Sequence, residues 1–326
     1  MTVLITGCAG FIGSHMTAYM LDRGEQVIGI DNLNSYYDVN LKQARLSRIS
    51  ERKGFSFYPI DITDQPAVTD LCERHANIDS IIHLAAQAGV RYSLAAPLTY
   101  VDANIKGQVI LLEIARRLKA LKVFVYASSS SVYGANPKQP FSVDDRVDSP
   151  VSLYAATKRA AELMTEAYCS TYRMSCVGLR FFSVYGPWGR PDMAYYMFTD
   201  AIVNNRPIRV FNEGRMARDF TYVDDILPTI AAAAALPDIQ PGEHRLYNIG
   251  NHRPESLLDF INVIERTLGQ PAICEMAEMQ PADVPSTYAD VAAAQRDLGF
   301  EPHTTIDIGL SRFIAWYREY HGPQTR

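Results

Sequence analysis

Residues 6–13 read Thr-Gly-Cys-Ala-Gly-Phe-Ile-Gly, and this stretch decides the fold. An apolar run at residues 3–5 precedes it and a helix-like pattern follows, so Gly7, Gly10 and Gly13 lie at a strand-to-helix turn. Glycines here allow a tight turn, a close approach of the backbone to a ligand and close helix packing. The start of the helix presents backbone amides to an anion. The stretch therefore predicts a nucleotide-binding turn of a doubly wound sheet.

Strand and helix signals alternate through the first half of the chain. Strands are predicted at residues 3–6, 26–30, 55–60, 80–84, 123–127 and 175–180, and helices at 11–23, 39–52, 65–76, 98–119 and 153–172. Strands that are apolar along most of their length indicate a parallel sheet buried on both faces. After Gly186-Pro187 prolines become frequent and the elements shorter. We expect an α/β fold: a doubly wound parallel, Rossmann-type sheet in residues 1–180, and a smaller α/β substrate lobe mainly in 181–326, with some segments returning to the first domain.

The second strand ends in an acid, Asp31, eighteen residues beyond Gly13. A carboxylate there accepts hydrogen bonds from a ribose diol and repels a 2′-phosphate, which favours NAD over NADP. Lys42 and Arg45 follow closely and keep NADP open as an alternative. Asp61, at the end of the third strand, could accept from an adenine amino group or precede a helix cap.

Composition excludes several classes of protein. With 48% apolar and 21% charged residues, the 326-residue chain has the balance of a globular protein. We expect no membrane span, because no apolar run approaches the ~20 residues needed, and no secretory segment. A net charge of −5 argues against nucleic acid. Five scattered cysteines indicate reduced thiols and a cytoplasmic location, and seven histidines without paired spacing predict no metal site.

Tyr154 and Lys158 are spaced to share one face of a predicted helix. A tyrosine acts as a base near neutrality only if its phenolate is stabilised, and an ammonium one turn away does so. Ser129 stands in a serine run after the fifth strand, where doubly wound sheets bind ligands. Its hydroxyl is placed to hold a substrate oxygen while Tyr154 moves the proton. These three residues are the predicted catalytic group.

Taken together, these motifs resemble the extended short-chain dehydrogenase/reductase family of sugar-nucleotide epimerases and dehydratases, over nearly the whole chain. Longer segments, at residues 31–38, 86–93 and 179–193, are similar to UDP-glucuronate 4-epimerases within it. The resemblance implies oxidation of a UDP-hexuronate at C4, rotation of the 4-keto sugar and reduction on its other face, with tightly bound NAD regenerated in each turnover. It implies a homodimer, formed through the helices at 98–119 and 153–172, although the apolar stripes of these helices could equally face only their own sheet. The implied NAD-binding residues are Gly7, Gly10, Phe11, Ile12, Gly13, Asp31, Asn32, Asp61, Ile62, Leu84, Ala85, Ala86, Tyr154 and Lys158.

Substrate-binding candidates come from the later segments. Arg190 is the candidate for the uronate carboxylate, with the hydroxyls of Ser130, Ser131 and Ser183. UDP-hexose epimerases tend to carry Asn where this chain has Ser183, which favours an acidic sugar. Arg218 resembles the family's pyrophosphate-binding arginine and Asp283 a ribose contact. The family often has an arginine three residues before that acid, where this chain has Gln280; Arg91 could replace its charge or form a structural ion pair.

Three other functions remain open at this stage. A UDP-glucuronate decarboxylase usually carries a glutamate near the serine turn, where this chain has hydroxyls. Another UDP-sugar 4-epimerase would use the same catalytic group on a different sugar. An NAD-sensing binding module commonly loses the Tyr or the Lys, and both are present.

Overall fold

The computed structural model describes residues 1–279 and 284–322. The strands are β1 (Thr2–Thr6), β2 (Gln26–Ile30), β3 (Phe55–Tyr58), β4 (Ser80–His83), β5 (Val123–Ser129), β6 (Cys176–Phe181), β7 (Ser183–Tyr185), β8 (Ile208–Phe211), β9 (Ala217–Tyr222), β10 (His244–Ile249), β11 (Pro254–Ser256) and β12 (Cys274–Ala277). The helices are α1 (Phe11–Asp22), α2 (Val39–Ser47), α3 (Gln65–Arg74), α4 (Tyr92–Ala95), α5 (Pro97–Tyr100), α6 (Gly107–Ala115), α7 (Leu153–Tyr172), α8 (Ala194–Val203), α9 (Val223–Ala234), α10 (Leu257–Leu268), α11 (Ala292–Leu298) and α12 (Ile306–His321). A π-helix (Val101–Lys106) and two 3₁₀ turns (Ser130–Tyr133, Asn212–Gly214) complete them.

Seven strands form one parallel sheet in the order β10-β6-β5-β4-β1-β2-β3. Successive residues of β1 pack on opposite faces, since Val3 and Ile5 belong to one apolar cluster and Leu4 to another. Both faces are therefore covered, as a run of apolar residues predicts for a parallel sheet. The predicted doubly wound fold is confirmed. The chain order reverses between β1 and β4, and a ligand crevice forms at the carboxyl ends of the strands there.

Two small sheets come from the second half of the chain. In one, β9 pairs with β7 in parallel and with β11 in antiparallel fashion; in the other, β8 and β12 are parallel. Strand β10 also comes from the second half, but it lies in the large sheet beside β6. The division of the chain near residue 180 stays a prediction.

The prediction of one regular helix at residues 98–119 is wrong. The chain there passes from α5 through the π-helix into α6, which ends at Ala115. An apolar periodicity does not reveal a π-helical segment, because the extra residue per turn displaces the pattern by only one position. The predicted helix at 39–52 also ends early, at Ser47.

Candidate active site

A cavity of about 870 Å³ opens at the carboxyl ends of the central strands. Of the predicted site residues within the described chain, all but Arg91 line it. The cavity walls therefore bring together the glycine turn, the serine turn, the Tyr154 helix and the loop that carries Arg190. Asp283 and Gln280 lie outside the described residues.

The glycine turn packs too closely to hold side chains. Gly7 has a φ of +73°, and a Cβ on it would lie 2.8 Å from the Ala85 nitrogen. A Cβ on Gly13 would lie 2.0 Å from the Gly7 oxygen. Within the described residues, no side chain caps the start of α1 at Gly10. The first turn of this helix lines the cavity, and its backbone amides are not covered by a capping side chain. This bare helix start fits the pyrophosphate of a dinucleotide.

Asp31 is fixed at the end of β2 by two backbone amides. Its Oδ2 accepts from Ala9 at 3.1 Å and its Oδ1 from Leu33 at 2.8 Å. The carboxylate borders the cavity, where a ribose diol can donate to its remaining lone pairs. The two cations that kept NADP open both have hydrogen-bond partners within the protein, although Lys42 also lines the cavity. Lys42 donates to Asn34, and Arg45 donates to backbone carbonyls and to Tyr37.

Asp61 stands where a third strand ends at the cavity. Burial acts to raise its pKa, but hydrogen bonds from Thr63 and Asn32 lower the pKa overall. Asn32 donates to the Asp61 carboxylate at 2.7 Å. The pair forms a polar wall of the cavity, and its carboxylate is ionised at neutral pH.

Ser129, Tyr154 and Lys158 all line the cavity. Ser129 ends β5 and its Oγ accepts from the Ser131 amide at 3.1 Å, which starts the 3₁₀ turn. Ser152 caps α7, so Tyr154 lies in the first helical turn and Lys158 in the next. The Ser129 hydroxyl lies close enough to Tyr154 to lower its pKa, and the Lys158 ammonium donates to the Ala127 carbonyl at 2.9 Å. The predicted catalytic group is thus assembled on two adjacent elements.

Burial sets the protonation of this group. It raises the pKa of Tyr154, while the Ser129 hydroxyl and the Arg190 charge act to lower it. Burial also lowers the pKa of Lys158 to about 8, which the Glu162 carboxylate partly opposes. At neutral pH Lys158 is therefore cationic and Tyr154 neutral. A positive charge beside the tyrosine, as Arg190 supplies, favours release of its proton.

Arg190 lies between β7 and α8 with its guanidinium in the cavity wall. It donates to Asp192 at 3.1 Å, and Asp192 also accepts from the Tyr36 hydroxyl at 3.0 Å. Burial acts to lower the Arg190 pKa, but Asp192 and nearby tyrosines raise it overall, so the charge is permanent. Ser130, Ser131 and Ser183 line the same cavity. The arrangement offers one cation and several hydroxyls to an anionic ligand.

The remaining substrate candidates lie in different places. Arg218, on β9, borders the cavity and donates to the carbonyls of Ala217 at 2.9 Å and Pro285 at 3.2 Å. Arg91 is exposed, and its guanidinium lies 4.7 Å from the centre of the Phe211 ring. It is not part of the cavity wall. A substrate role for Arg91 stays a prediction.

Two contributors were missed by sequence reasoning. Asn104, in the π-helix, forms two hydrogen bonds with the backbone of Gln87: it donates to the Gln87 oxygen at 3.0 Å and accepts from the Gln87 nitrogen at 2.9 Å. It also donates to the Thr157 hydroxyl on α7. A lone buried asparagine in an apolar helix is the signal that could have found it. Asp192 was also missed, because its pairing with Tyr36 joins segments far apart in sequence.

Residues 1–279 and 284–322 lack two kinds of feature. They contain no cluster of three or more His, Cys, Asp or Glu side chains able to hold a metal ion. No helix in those ranges is long and apolar enough to cross a membrane.

Comparison with known proteins places this site in a family. The sequence model of the NAD dependent epimerase/dehydratase family matches residues 3–250. The chain belongs to this family. NAD is accordingly its cofactor, and the glycine turn, Asp31 and Asp61 fit that molecule.

Individual relatives align over almost the entire chain. The chain is 46% identical to the protein CapI of Staphylococcus aureus, over 98% of this chain and 99% of that protein. It is 43% identical to a probable UDP-glucuronate 4-epimerase of Rhizobium meliloti (strain 1021), over 97% of each. The fold is similar to that of the UDP-glucuronic acid 4-epimerase of Bacillus cereus crystallised with UDP-glucuronic acid and NAD, with a TM-score of 0.91, 32% identity, and coverage of 98% of this chain and 100% of that one.

Proposed function

We propose that this chain is a UDP-glucuronate 4-epimerase, which interconverts UDP-glucuronate and UDP-galacturonate. The observation that carries the proposal is the single cavity shared by the Ser129, Tyr154 and Lys158 group and by Arg190 with its hydroxyl neighbours. The first set moves a proton on a sugar hydroxyl, and the second offers a counter-charge to a carboxylate. The relatives named as UDP-glucuronate 4-epimerases support the same substrate.

Tyr154 is the proposed acid and base. NAD supplies the chemistry of the step, by accepting the C4 hydride and returning it. Ser129 holds the sugar O4 while Tyr154 takes its proton, and Tyr154 gives the proton back when the ketone is reduced. The Arg190 charge and the Ser129 hydroxyl act against the burial that raises the Tyr154 pKa, and Lys158, one helical turn away, is the proposed second cation for the phenolate. No net redox change results.

The carboxylate must survive the ketone stage. A 4-keto uronate is a β-keto acid and loses CO₂ when its carboxylate bond aligns with the carbonyl π system. We propose that Arg190, with Ser130, Ser131 and Ser183, holds the carboxylate out of that alignment. Arg190 is suited to it, because its planar guanidinium is anchored by Asp192 on one nitrogen. Arg218 is the proposed partner of the UDP pyrophosphate, and Asp283 of its ribose.

The test is a reaction followed by proton NMR. The purified protein is incubated with UDP-glucuronate without added NAD, and a Tyr154→Phe variant serves as the control. Formation of UDP-galacturonate by the native protein alone is expected. UDP-xylose as the main product would instead establish a decarboxylase, and turnover of UDP-glucose at a comparable rate would establish a different sugar specificity. A protein that keeps NAD but turns over none of these sugars would be a binding module.

We also propose that the chain forms a homodimer in the cytoplasm. Two apolar side chains on the α5 and π-helix segment, Leu98 and Val101, are exposed, and so are Leu163 and Tyr172 on α7. Apolar residues exposed together on two helices are typical of an interface with a second copy. All five cysteines are free thiols and four of them are buried, which is typical of a reducing compartment.

A further inference from the structure

Three consecutive carbonyls just before Arg190 are held by side chains from the cofactor-binding half. The Pro187 oxygen lies 2.9 Å from Nε2 of His15, on α1. The Trp188 oxygen accepts from Nε and Nη2 of Arg45 at 2.9 and 2.7 Å, and the Gly189 oxygen accepts from Nη2 at 3.0 Å. The chain then continues directly into Arg190. The backbone that presents Arg190 to the cavity is therefore fixed from outside its own lobe.

Arg45 is completely buried, and its contacts are unusual for a buried cation. Its remaining hydrogen bonds go to the Ala9 carbonyl, at 3.1 Å, and to the Tyr37 hydroxyl. All of these acceptors are neutral oxygens. A buried guanidinium is costly, and such a residue is retained where its planar fork fixes several groups at once. Here it joins the glycine turn, through Ala9, to the segment before Arg190.

The neutral state of His15 is consistent with its part in this arrangement. Burial lowers the pKa of His15 to about 4, so the ring is uncharged at neutral pH. Because the Pro187 oxygen can only accept, Nε2 of the neutral ring must carry the hydrogen.

The held segment has little freedom to move. Trp188 has a φ of +61°, a left-handed conformation that bulky residues rarely adopt. A Cβ on Gly189 would lie 1.8 Å from the Tyr195 hydroxyl oxygen, so the chain runs against α8 at that point. The Trp188 ring packs against Trp316, with ring centres 5.1 Å apart. Losing the carbonyl contacts would release a strained backbone one residue from the substrate cation.

We infer that Arg45, aided by His15, is a positioning residue for Arg190 and so sets the selectivity for a uronate. The inference rests on the proposed function. Arg45 ties the glycine turn to the loop that carries Arg190, and thereby fixes the distance between these two parts of the cavity wall. A lysine in its place cannot reach the Ala9, Trp188 and Gly189 carbonyls together, since it lacks the planar fork.

The experiment compares Arg45→Lys and His15→Phe with native protein, at saturating NAD. Arg190→Ala is the positive control. Arg48→Lys is the matched negative control, because the Arg48 guanidinium lies 4.7 Å from the centre of the Trp188 ring and belongs to the same helical region. The readouts are the KM for UDP-glucuronate, inhibition by UDP, and the ratio of UDP-pentose to UDP-galacturonate formed. All three are independent of the fraction of folded enzyme.

We expect Arg45→Lys to raise the KM for UDP-glucuronate about tenfold, the effect of losing roughly one charge-assisted hydrogen bond. The UDP-pentose fraction should rise and the inhibition by UDP should stay unchanged. His15→Phe should raise the KM and the UDP-pentose fraction to a smaller degree. It provides the test if Arg45→Lys does not fold. Equal weakening of UDP and UDP-glucuronate, or native values in both variants, would overturn the inference. If native protein shows no preference for UDP-glucuronate over UDP-glucose and Arg190→Ala changes nothing, the proposed function itself has failed.

Discussion

At the scale of single residues, the proposed catalytic role of Lys158 conflicts with stability. The side chain is 6% exposed and its burial lowers the pKa from the ordinary 10.5 to about 8. The unfolded chain therefore binds a proton more tightly than the folded one. The charged lysine destabilises the fold below pH 8, and this penalty declines as the pH rises from 8 to 10.5.

Lys158→Met should consequently make the NAD-free protein more stable while abolishing turnover. The pKa difference sets an upper limit of about 3 kcal/mol on the gain at pH 7. The lost hydrogen bond to the Ala127 carbonyl reduces it by about 1 kcal/mol. Urea unfolding at several pH values measures the effect, with the exposed Lys119→Met as control. The difference in unfolding free energy between the variant and the native protein should decrease between pH 8 and 10.5. An increase over that range would contradict this explanation.

At the scale of elements, a row of polar side chains crosses the large sheet beside the catalytic strand end. Ser128 on β5, Arg180 on β6 and Asn248 on β10 are register partners. Glu162, on α7 one turn beyond Lys158, accepts from Ser128 at 2.6 Å and from Arg180 at 2.8 and 2.9 Å. Tyr133 donates to Asn248 and accepts from Arg180. The row holds α7 and the serine turn against one sheet.

Glu162→Met should cost about 3–5 kcal/mol of unfolding free energy, because it leaves the buried Arg180 charge without its ionic partner. Arg180→Met should cost less, because Arg159 still donates to the Glu162 carboxylate at 3.0 Å. The double variant should cost much less than the sum, since it removes both charges. Urea unfolding at pH 7 measures the unfolding free energies of the two single variants and the double variant. Asp70→Asn is the control: Asp70 forms an exposed pair with Arg74, and its loss should cost less than about 1 kcal/mol. Additive losses would refute the coupling. Burial acts to raise the Glu162 pKa, but Arg180 lowers the pKa overall, so the pair's stabilisation is complete above pH 4.5 and declines below it.

Local signals in the sequence were enough for most elements and for the expectation that Ser129, Tyr154 and Lys158 share one cavity. The glycine turn, the serine turn and the Tyr154 helix each occupy a short segment whose chemistry is legible from neighbouring residues. The π-helix was not predictable in this way, because its pattern differs little from that of an α-helix. Arg45 and Asp192 could not be placed either, since their contacts at Trp188 and Tyr36 depend on packing between distant segments.

At the scale of the whole molecule, assembly into dimers is open to a direct test. Leu163 is 54% exposed on α7, and a carboxylate there would oppose burial against a second copy. Leu163→Glu should convert the protein to a monomer in size-exclusion chromatography with light scattering. Ile308→Glu, on the exposed face of α12 and 48% exposed, is the matched control and should leave the dimer intact. A native monomer, or a Leu163→Glu dimer, would remove the basis for this interface.

The place of β10 in the large sheet has a consequence for how the chain folds. Synthesis supplies β1 to β6 first, but the edge of β6 receives its neighbour only after residues 244–249 have left the ribosome. Until then β6 keeps an unpaired edge, and Arg180 lacks its register partner Asn248, which also accepts a hydrogen bond from Tyr133. An unpaired parallel edge is prone to association with other chains. Completion of the cofactor-binding sheet is therefore a late event, and during translation the nascent chain depends on the second half of the protein to close it.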